Sequence, residues 1–104
     1  MNQPGYASEI DAIDDLRRRG YTADFEVRDG SLRETASGRR FRADELAIVE
    51  HHRFEGASDP EDMSVVYAIE TSDGLRGIVV DAFGAYANPR LADLLEKVEV
   101  REQA

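Results

Sequence analysis

Two Asp-Gly pairs constrain the fold of this chain more than any other feature, because each lies between two segments with the alternation of a β-strand. A type I′ turn needs positive φ at both central residues, and Asp-Gly adopts it readily. Asp29-Gly30 therefore predicts a two-residue hairpin loop that places Val27 opposite Leu32. Asp73-Gly74 predicts a second hairpin of the same kind. The chain is thus expected to contain an antiparallel sheet.

The second hairpin contains the most strand-like sequence of the chain, at residues 65–69 and 75–80. Its β-branched and aromatic residues are typical of strands. A two-residue loop sets three cross-strand pairs, Ile69 with Ile78, Tyr67 with Val80 and Val65 with Ala82. These six side chains are expected on the core side, because directly opposed residues share a face of the sheet. The other face, around Val66, Ala68 and Val79, is expected to be only partly covered.

Helices are predicted at both ends of the chain. Ser8 is a suitable N-cap for the first helix, and Gly20 supplies its left-handed stop. The apolar stripe of this helix consists of Ile10, Ile13 and Leu16. Asn88-Pro89 opens the second helix as an N-cap followed by proline at the first helical position. The apolar stripe of the second helix consists of Leu91, Leu94, Leu95 and Val98.

The remaining segments define the fold class. Residues 46–55 alternate as a further strand, and residues 39–45 predict a connection with one helical turn. The resulting order is α-β-β-β-β-β-α, an α+β fold with an antiparallel sheet of about five strands between an N-terminal and a C-terminal helix. No linker or repeat divides the sequence, so residues 1–104 are expected to form a single domain. Residues 1–7 and 99–104 are expected to be frayed.

The composition argues against several classes of partner. The chain has 22 acidic and 13 basic residues, a formal net charge of −9, which repels the phosphate backbone of nucleic acids. No apolar run approaches the roughly 20 residues that span a bilayer, and the sequence shows no secretory signal and no cysteine. These features predict a cytoplasmic protein without a nucleic-acid or membrane partner. Lys97 is the only lysine, which fits either adaptation to a salt-rich cytoplasm or codon bias towards arginine.

Asp81 is the best single candidate for a site residue, because it interrupts an apolar strand. A carboxylate there is either paired, for example with Arg53 or Arg76, or lies in a cleft with a raised pKa. Arg53, Tyr67 and Tyr86 are candidate ligand-binding residues of the same region. The sequence therefore places a candidate site around this aspartate.

His51 and His52 are weaker catalytic candidates. Adjacent residues of a strand point to opposite faces, so the two cannot hold one ion, although either could act as a general base. The alternative is an ordinary histidine of a sheet. The polar loop that follows contains Asp59 as a candidate ligand-binding residue, but its acidic residues lack the spacing of a calcium loop. No metal site and no cofactor is predicted.

Several segments resemble a small family of bacterial proteins of about this length. The resemblance rests on residues 52–69 and 77–87, together with Leu16, 19–22 and 24–25. Members of this family often carry the automatic label phosphoribosylpyrophosphate synthetase, but the family is uncharacterised, so the resemblance implies relatives rather than an activity. The residues do not favour that activity. Asp81 is followed by residues without the second acid and the hydroxyl groups of a ribose-phosphate loop.

Two hypotheses of different class follow. The first is a small non-catalytic module that binds a partner protein or a small ligand through a sheet face or the polar loop, with a homodimer as one form. The second is a small enzyme or ligand-responsive regulator, with its site around Asp81. The first is favoured, because no nucleophile elbow, phosphate loop or dinucleotide motif is present.

Overall fold

The computed structural model of the chain describes residues 8–54, 64–82 and 88–102, which form two helices and a seven-stranded sheet. The helices are α1 (Glu9–Arg18) and α2 (Pro89–Glu96), and the strands are β1 (Ala23–Arg28), β2 (Ser31–Glu34), β3 (Arg40–Phe41), β4 (Leu46–Phe54), β5 (Ser64–Thr71), β6 (Arg76–Ala82) and β7 (Glu99–Val100). A single 3₁₀ turn at Ala43–Glu45 confirms the predicted helical turn before β4. The α+β class is confirmed.

The sheet is mixed and curled rather than purely antiparallel. Its strand order is β3-β2-β1-β6-β5-β4-β7, and two of the neighbouring pairs, β1 with β6 and β4 with β7, are parallel. The predicted antiparallel pairing therefore holds for four of the six neighbouring pairs, whereas the prediction of about five strands is wrong in number and does not include the two parallel pairs. The two unpredicted strands, β3 and β7, have only two residues each, too few to show an alternation.

The first hairpin is confirmed in turn geometry and in register. Asp29 and Gly30 have φ angles of 51° and 79°, as a type I′ turn requires. Val27 lies opposite Leu32, as the two-residue loop predicts. The local sequence alone is sufficient to specify this part of the sheet.

The second hairpin differs from its prediction by one residue. The Thr71 N–H donates to the Leu75 carbonyl oxygen at 2.8 Å, and the Gly74 N–H donates to the Thr71 carbonyl oxygen at 3.0 Å. The loop therefore has three residues, 72–74, with Gly74 in the left-handed region at φ 91°. Ile69 lies opposite Gly77 and not opposite Ile78.

This shift separates the six side chains that the sequence places on one face, because a one-residue slip moves a strand's side chains to the other face. The side of the sheet towards α1 is here called the α1 face. On this face, Val66, Ala68 and Ile78 of the sheet form a buried cluster with Leu16 of α1. The opposite side, the α2 face, carries Ile69 and Val79 packed with Leu91, Leu94 and Leu95. The face expected to be partly open is therefore covered, and Val66 and Ala68 are fully buried.

Both helices begin as predicted. The Ser8 hydroxyl accepts the Asp11 N–H, and the Asn88 side chain accepts the Arg90 N–H. Gly20 has the expected positive φ of 103°. The apolar stripe of α1 differs from its prediction, because Ile10 is 69% exposed, whereas Ala12 is buried beside Leu16.

β4 contains an irregularity that decides which side chains reach each face. Ile48 lies opposite Ile69 but Glu50 lies opposite Ala68, so Val49 is an extra residue in the ladder. Beyond this bulge, His51 and Arg53 lie on the α2 face, and Glu50 and His52 lie on the α1 face. Strict alternation along the predicted strand at residues 46–55 would place Ile48 and His52 on a common face, but the bulge reverses the alternation and separates them.

The end of the chain is joined to the sheet. The sequence predicts that residues 99–104 fray, but Glu99 and Val100 pair in parallel with Ala47 and Ile48. The Arg101 N–H also donates to the Ile48 carbonyl oxygen at 2.8 Å. β7 therefore extends the sheet beyond β4 and brings residues 100–102 beside the α2 face.

Candidate functional site

A pocket of about 170 Å³ lies on the α2 face where β4, β5 and β7 meet. Its lining combines apolar and polar side chains, namely Ile48, His51, Arg53, Val65, Tyr67, Val100 and Glu102. Strand alternation on β4 and β5, together with the bulge at Val49, directs the first five of these to one side of the sheet. The structure thus brings together three of the residues that the sequence singles out, His51, Arg53 and Tyr67.

Two stacked rings, here called the ring wall, line this pocket. His51 and Tyr67 are directly opposed across β4 and β5. Their ring centroids are 6.1 Å apart and their planes are inclined by 25°, so the rings are neighbours in a nearly common orientation. The side-chain carboxylate of Glu102 is hydrogen-bonded to Nδ1 of His51, which holds the imidazole in place. A planar ligand could stack against this wall.

The phenol of Tyr67 is neutral at physiological pH. Burial raises its pKa above the usual value, the negative charge of Asp81 raises it further, and the Arg53 guanidinium acts in the opposite direction. A neutral phenol can both donate and accept a hydrogen bond. Tyr67 therefore offers the pocket a polar group without adding a charge.

Asp81 lies at the edge of this region. It is opposite Val65 in β6, on the same face as Tyr67, and is half-buried. Its Oδ1 accepts the backbone N–H of Asn88 at 3.1 Å, immediately before α2 begins. Asp81 thus has one structural role, fixing the start of α2, and one electrostatic role, acting on the Tyr67 phenol.

His52 points to the other side of the sheet, where it belongs to a chain of ion pairs. Its Nε2 lies 2.5 Å from Oε2 of Glu50, and Arg19 binds the same carboxylate through two nitrogens at 2.9 and 2.7 Å. Arg19 also contacts Asp15 at 3.0 Å. The Arg19 guanidinium is the main reason that the pKa of Glu50 lies below its usual range. His52 lowers this pKa further, whereas burial opposes both contributions. This network joins the end of α1 to β4.

The remaining candidates of the sequence cannot be placed. Asp59 and Tyr86 lie outside the described residues, as does the rest of the polar loop around Asp59. Within residues 8–54, 64–82 and 88–102, no group of three or more histidine, aspartate or glutamate side chains could hold a metal ion.

The sequence does not identify four of the pocket-lining residues, Ile48, Val65, Val100 and Glu102, as site candidates. The contribution of Val100 and Glu102 depends on β7, which the sequence treats as a frayed tail. The alternation of Val98 and Val100 with acidic residues is the one signal of a strand there. It is too short to outweigh the general tendency of chain ends to fray.

Comparison with known proteins finds no matching family model, no similar curated protein and no similar solved structure. In the described part of the chain, neither helix is long and apolar enough to cross a membrane. The geometry of the pocket is therefore the basis for the function proposed below.

Proposed function

We propose that this protein is a small non-catalytic binding module, and that its ligand occupies the pocket on the α2 face. The observation that carries the proposal is that His51, Arg53, Tyr67 and Glu102 line one pocket together with aliphatic side chains. Ligand sites are typically mostly apolar, with a few polar groups that fix orientation. This pocket has both kinds of lining.

The lining indicates the character of the ligand. The aliphatic side chains of Ile48, Val65 and Val100 favour an apolar body, and the ring wall of His51 and Tyr67 favours a planar one. The volume of about 170 Å³ is below the roughly 300–1,000 Å³ of pockets for drug-sized molecules. The ligand is therefore a small, planar, partly polar molecule.

The proposal is tested by screening small planar compounds, with the amide chemical shifts of the full chain as the measurement. A true ligand shifts the amides of residues 48–53, 65–67 and 100–102 together and saturably. Arg53→Gln weakens its binding, because Arg53 lines the pocket. Arg28→Gln is the matched control, since it removes an arginine that does not line the pocket. Stabilisation at a hundredfold excess over Kd is expected to be about 2.7 kcal/mol.

The proposal fails if no compound of the screen shifts these amides saturably. It also fails if Arg28→Gln weakens binding as much as Arg53→Gln does. In that case the protein attracts the compound through its general charge and not through the pocket.

A second candidate, the small enzyme or regulator near Asp81, is favoured by one observation. Glu102 holds the imidazole of His51 in place, as an orienting carboxylate does for a general base. The two candidates differ in the fate of the ligand. A binding module leaves the ligand chemically unchanged, whereas an enzyme converts it and loses that activity in His51→Gln. Proton spectra of the ligand over time distinguish them.

A homodimer is the second form of the proposed module. Val100, which lines the pocket, is 61% exposed, and a second copy would cover it. Light scattering coupled to size exclusion gives the mass directly. A mass close to 11.6 kDa at high concentration removes the dimer and leaves the small-ligand form of the proposal intact.

A further inference from the structure

A second cleft lies beside α2 and differs in its lining from the pocket on the α2 face. It has a volume of about 240 Å³ and lies between the β1–β2 turn and α2. Gly30 lines it from the turn, and α2 and its end contribute Arg90, Asp93, Leu94 and Lys97. None of these residues lines the pocket on the α2 face, so this cleft is a separate place on the molecule.

The two cations of this cleft differ from most basic residues of the described chain in their lack of an ion pair. With an acidic excess of nine charges, most arginines have a carboxylate at hand, as in the pairs of Arg17 with Asp24 and Arg33 with Glu26. Among the described residues, Arg28, Arg90 and Lys97 form no ion pair with another described side chain. Two of these three cations line the cleft.

The acidic residue of α2 that lines the cleft, Asp93, does not pair with these two cations. Asp93 is three residues after Arg90 and four before Lys97, spacings at which side chains on a helix can pair. In the described part of the chain, however, neither cation forms an ion pair with Asp93, for which a nitrogen–oxygen distance of 4.0 Å or less is needed. The backbone N–H of Arg90 is already bound to the Asn88 side chain at 3.0 Å. An anion in the cleft would therefore be held by side chains and not by the helix end.

We infer that this cleft binds a small organic dianion. The two cations are seven positions apart in the sequence, about 10 Å along the helix axis, so two separate acidic groups match them better than one. Asp93 lies between them and repels a central negative charge, so the middle of the ligand is uncharged. Leu94 supplies an apolar contact for that middle part. A dicarboxylate with an aliphatic spacer has these features.

The test uses the full chain and three probes, adipate as the dianion, propionate as the matched monoanion, and inorganic phosphate for the other source of acidic oxygens. Adipate shifts the amides of Gly30, Arg90 and Lys97 saturably and binds at least about threefold more tightly than propionate, since each solvent-exposed charge pair contributes modestly. Arg90→Gln and Lys97→Gln each reduce the affinity for adipate about threefold. Inorganic phosphate binding more tightly than adipate would replace the dicarboxylate class with a phosphate.

Two further variants separate a built site from general charge attraction. Asp93→Asn increases the affinity for adipate, because it removes the repulsive charge between the cations. Arg28→Gln leaves it unchanged, since Val27 faces the α2 cluster and its neighbour Arg28 faces the opposite side of the sheet. Equal losses for Arg28→Gln and Arg90→Gln, or shifts that do not saturate, would overturn the inference. None of these outcomes tests the function proposed for the pocket beside Tyr67.

Discussion

Gly77 of β6 lies opposite Ala23 of β1 in a parallel pair, and a methyl group added to Gly77 would be 2.4 Å from the Ala23 carbonyl oxygen. It would also be 2.7 Å from the Ala23 Cβ and from the Phe25 ring. Gly77→Ala is therefore expected to lower the free energy of unfolding by about 1–3 kcal/mol, because two strands must separate to admit it. Urea denaturation measures this change.

Val80→Ala, in the same strand, is the control for that prediction. Val80 is 39% exposed, so its truncation removes fewer buried contacts and costs less than the added methyl of Gly77→Ala. An unchanged stability of Gly77→Ala would mean that β1 and β6 are not in this close register.

Arg19→Gln is expected to lower the free energy of unfolding by about 1 kcal/mol near neutral pH. The side chain of Glu50 is 14% exposed, but that of Arg19 is 42% exposed, so solvent screens the pair. The pKa of Glu50 is lowered in the folded chain, so this contribution is present above the unfolded value of about 4.3 and is lost as pH falls through the folded pKa. Denaturation curves across acidic pH measure it.

Arg18→Gln is the matched control, because Arg18 makes a longer and more exposed contact with Asp15 at 3.5 Å. Its effect on stability should be smaller than that of Arg19→Gln. If the gap between wild type and Arg19→Gln persists at the lowest pH, the ion pair with Glu50 is not its cause.

Asp73, in the β5–β6 turn, is expected to titrate with a pKa of about 2. The hydroxyl of Thr71 is the main cause, and the guanidinium of Arg39 is the next. Thr71→Val should therefore raise the pKa of Asp73 more than Arg39→Gln does. Carbon-detected NMR titration of the carboxylate gives both values, and the reverse order would show that the charge of Arg39 dominates.

Asp81→Asn is expected to lower the pKa of Tyr67, because it removes a negative charge that disfavours the phenolate. The pKa stays above the ordinary tyrosine value, since burial is the larger cause. Phenolate absorbance at alkaline pH measures the change, with Tyr67→Phe identifying the signal. An unaltered titration would place Asp81 outside the electrostatic reach of the pocket.

The two hairpins show where local sequence is sufficient and where it is not. Asp29-Gly30 forms the turn that its sequence favours, with positive φ at both residues. Asp73-Gly74 is the same dipeptide, but it lies in a loop of three residues instead of two. There the buried hydroxyl of Thr71 donates to the Asp73 carboxylate and accepts the Leu75 N–H at 3.0 Å, which closes a three-residue turn. The dipeptide alone does not contain that information.

The candidate site can also be predicted from the sequence only in part, because local alternation places some of its residues and long-range strand pairing places the others. Strand alternation is sufficient to bring Arg53 and His51 to one face and to send His52 to the other. Glu102 joins them only through the parallel pairing of β7 with β4, for which the sequence offers no more than the short alternation of Val98 and Val100. The sequence likewise does not predict the parallel pair of β1 and β6, because the residues of that pair are far apart in the chain.

The register of β5 and β6 also limits how the gene for this protein can change. Deleting the codon for Arg76 would keep the three-residue loop and shift the rest of β6 by one residue against β5. Val80 would then lie opposite Tyr67, and Asp81 would leave the pocket side for the side covered by α1. Point substitutions can adjust this pocket one side chain at a time, whereas a single in-frame deletion within β6 would move every later side chain of that strand to the other face.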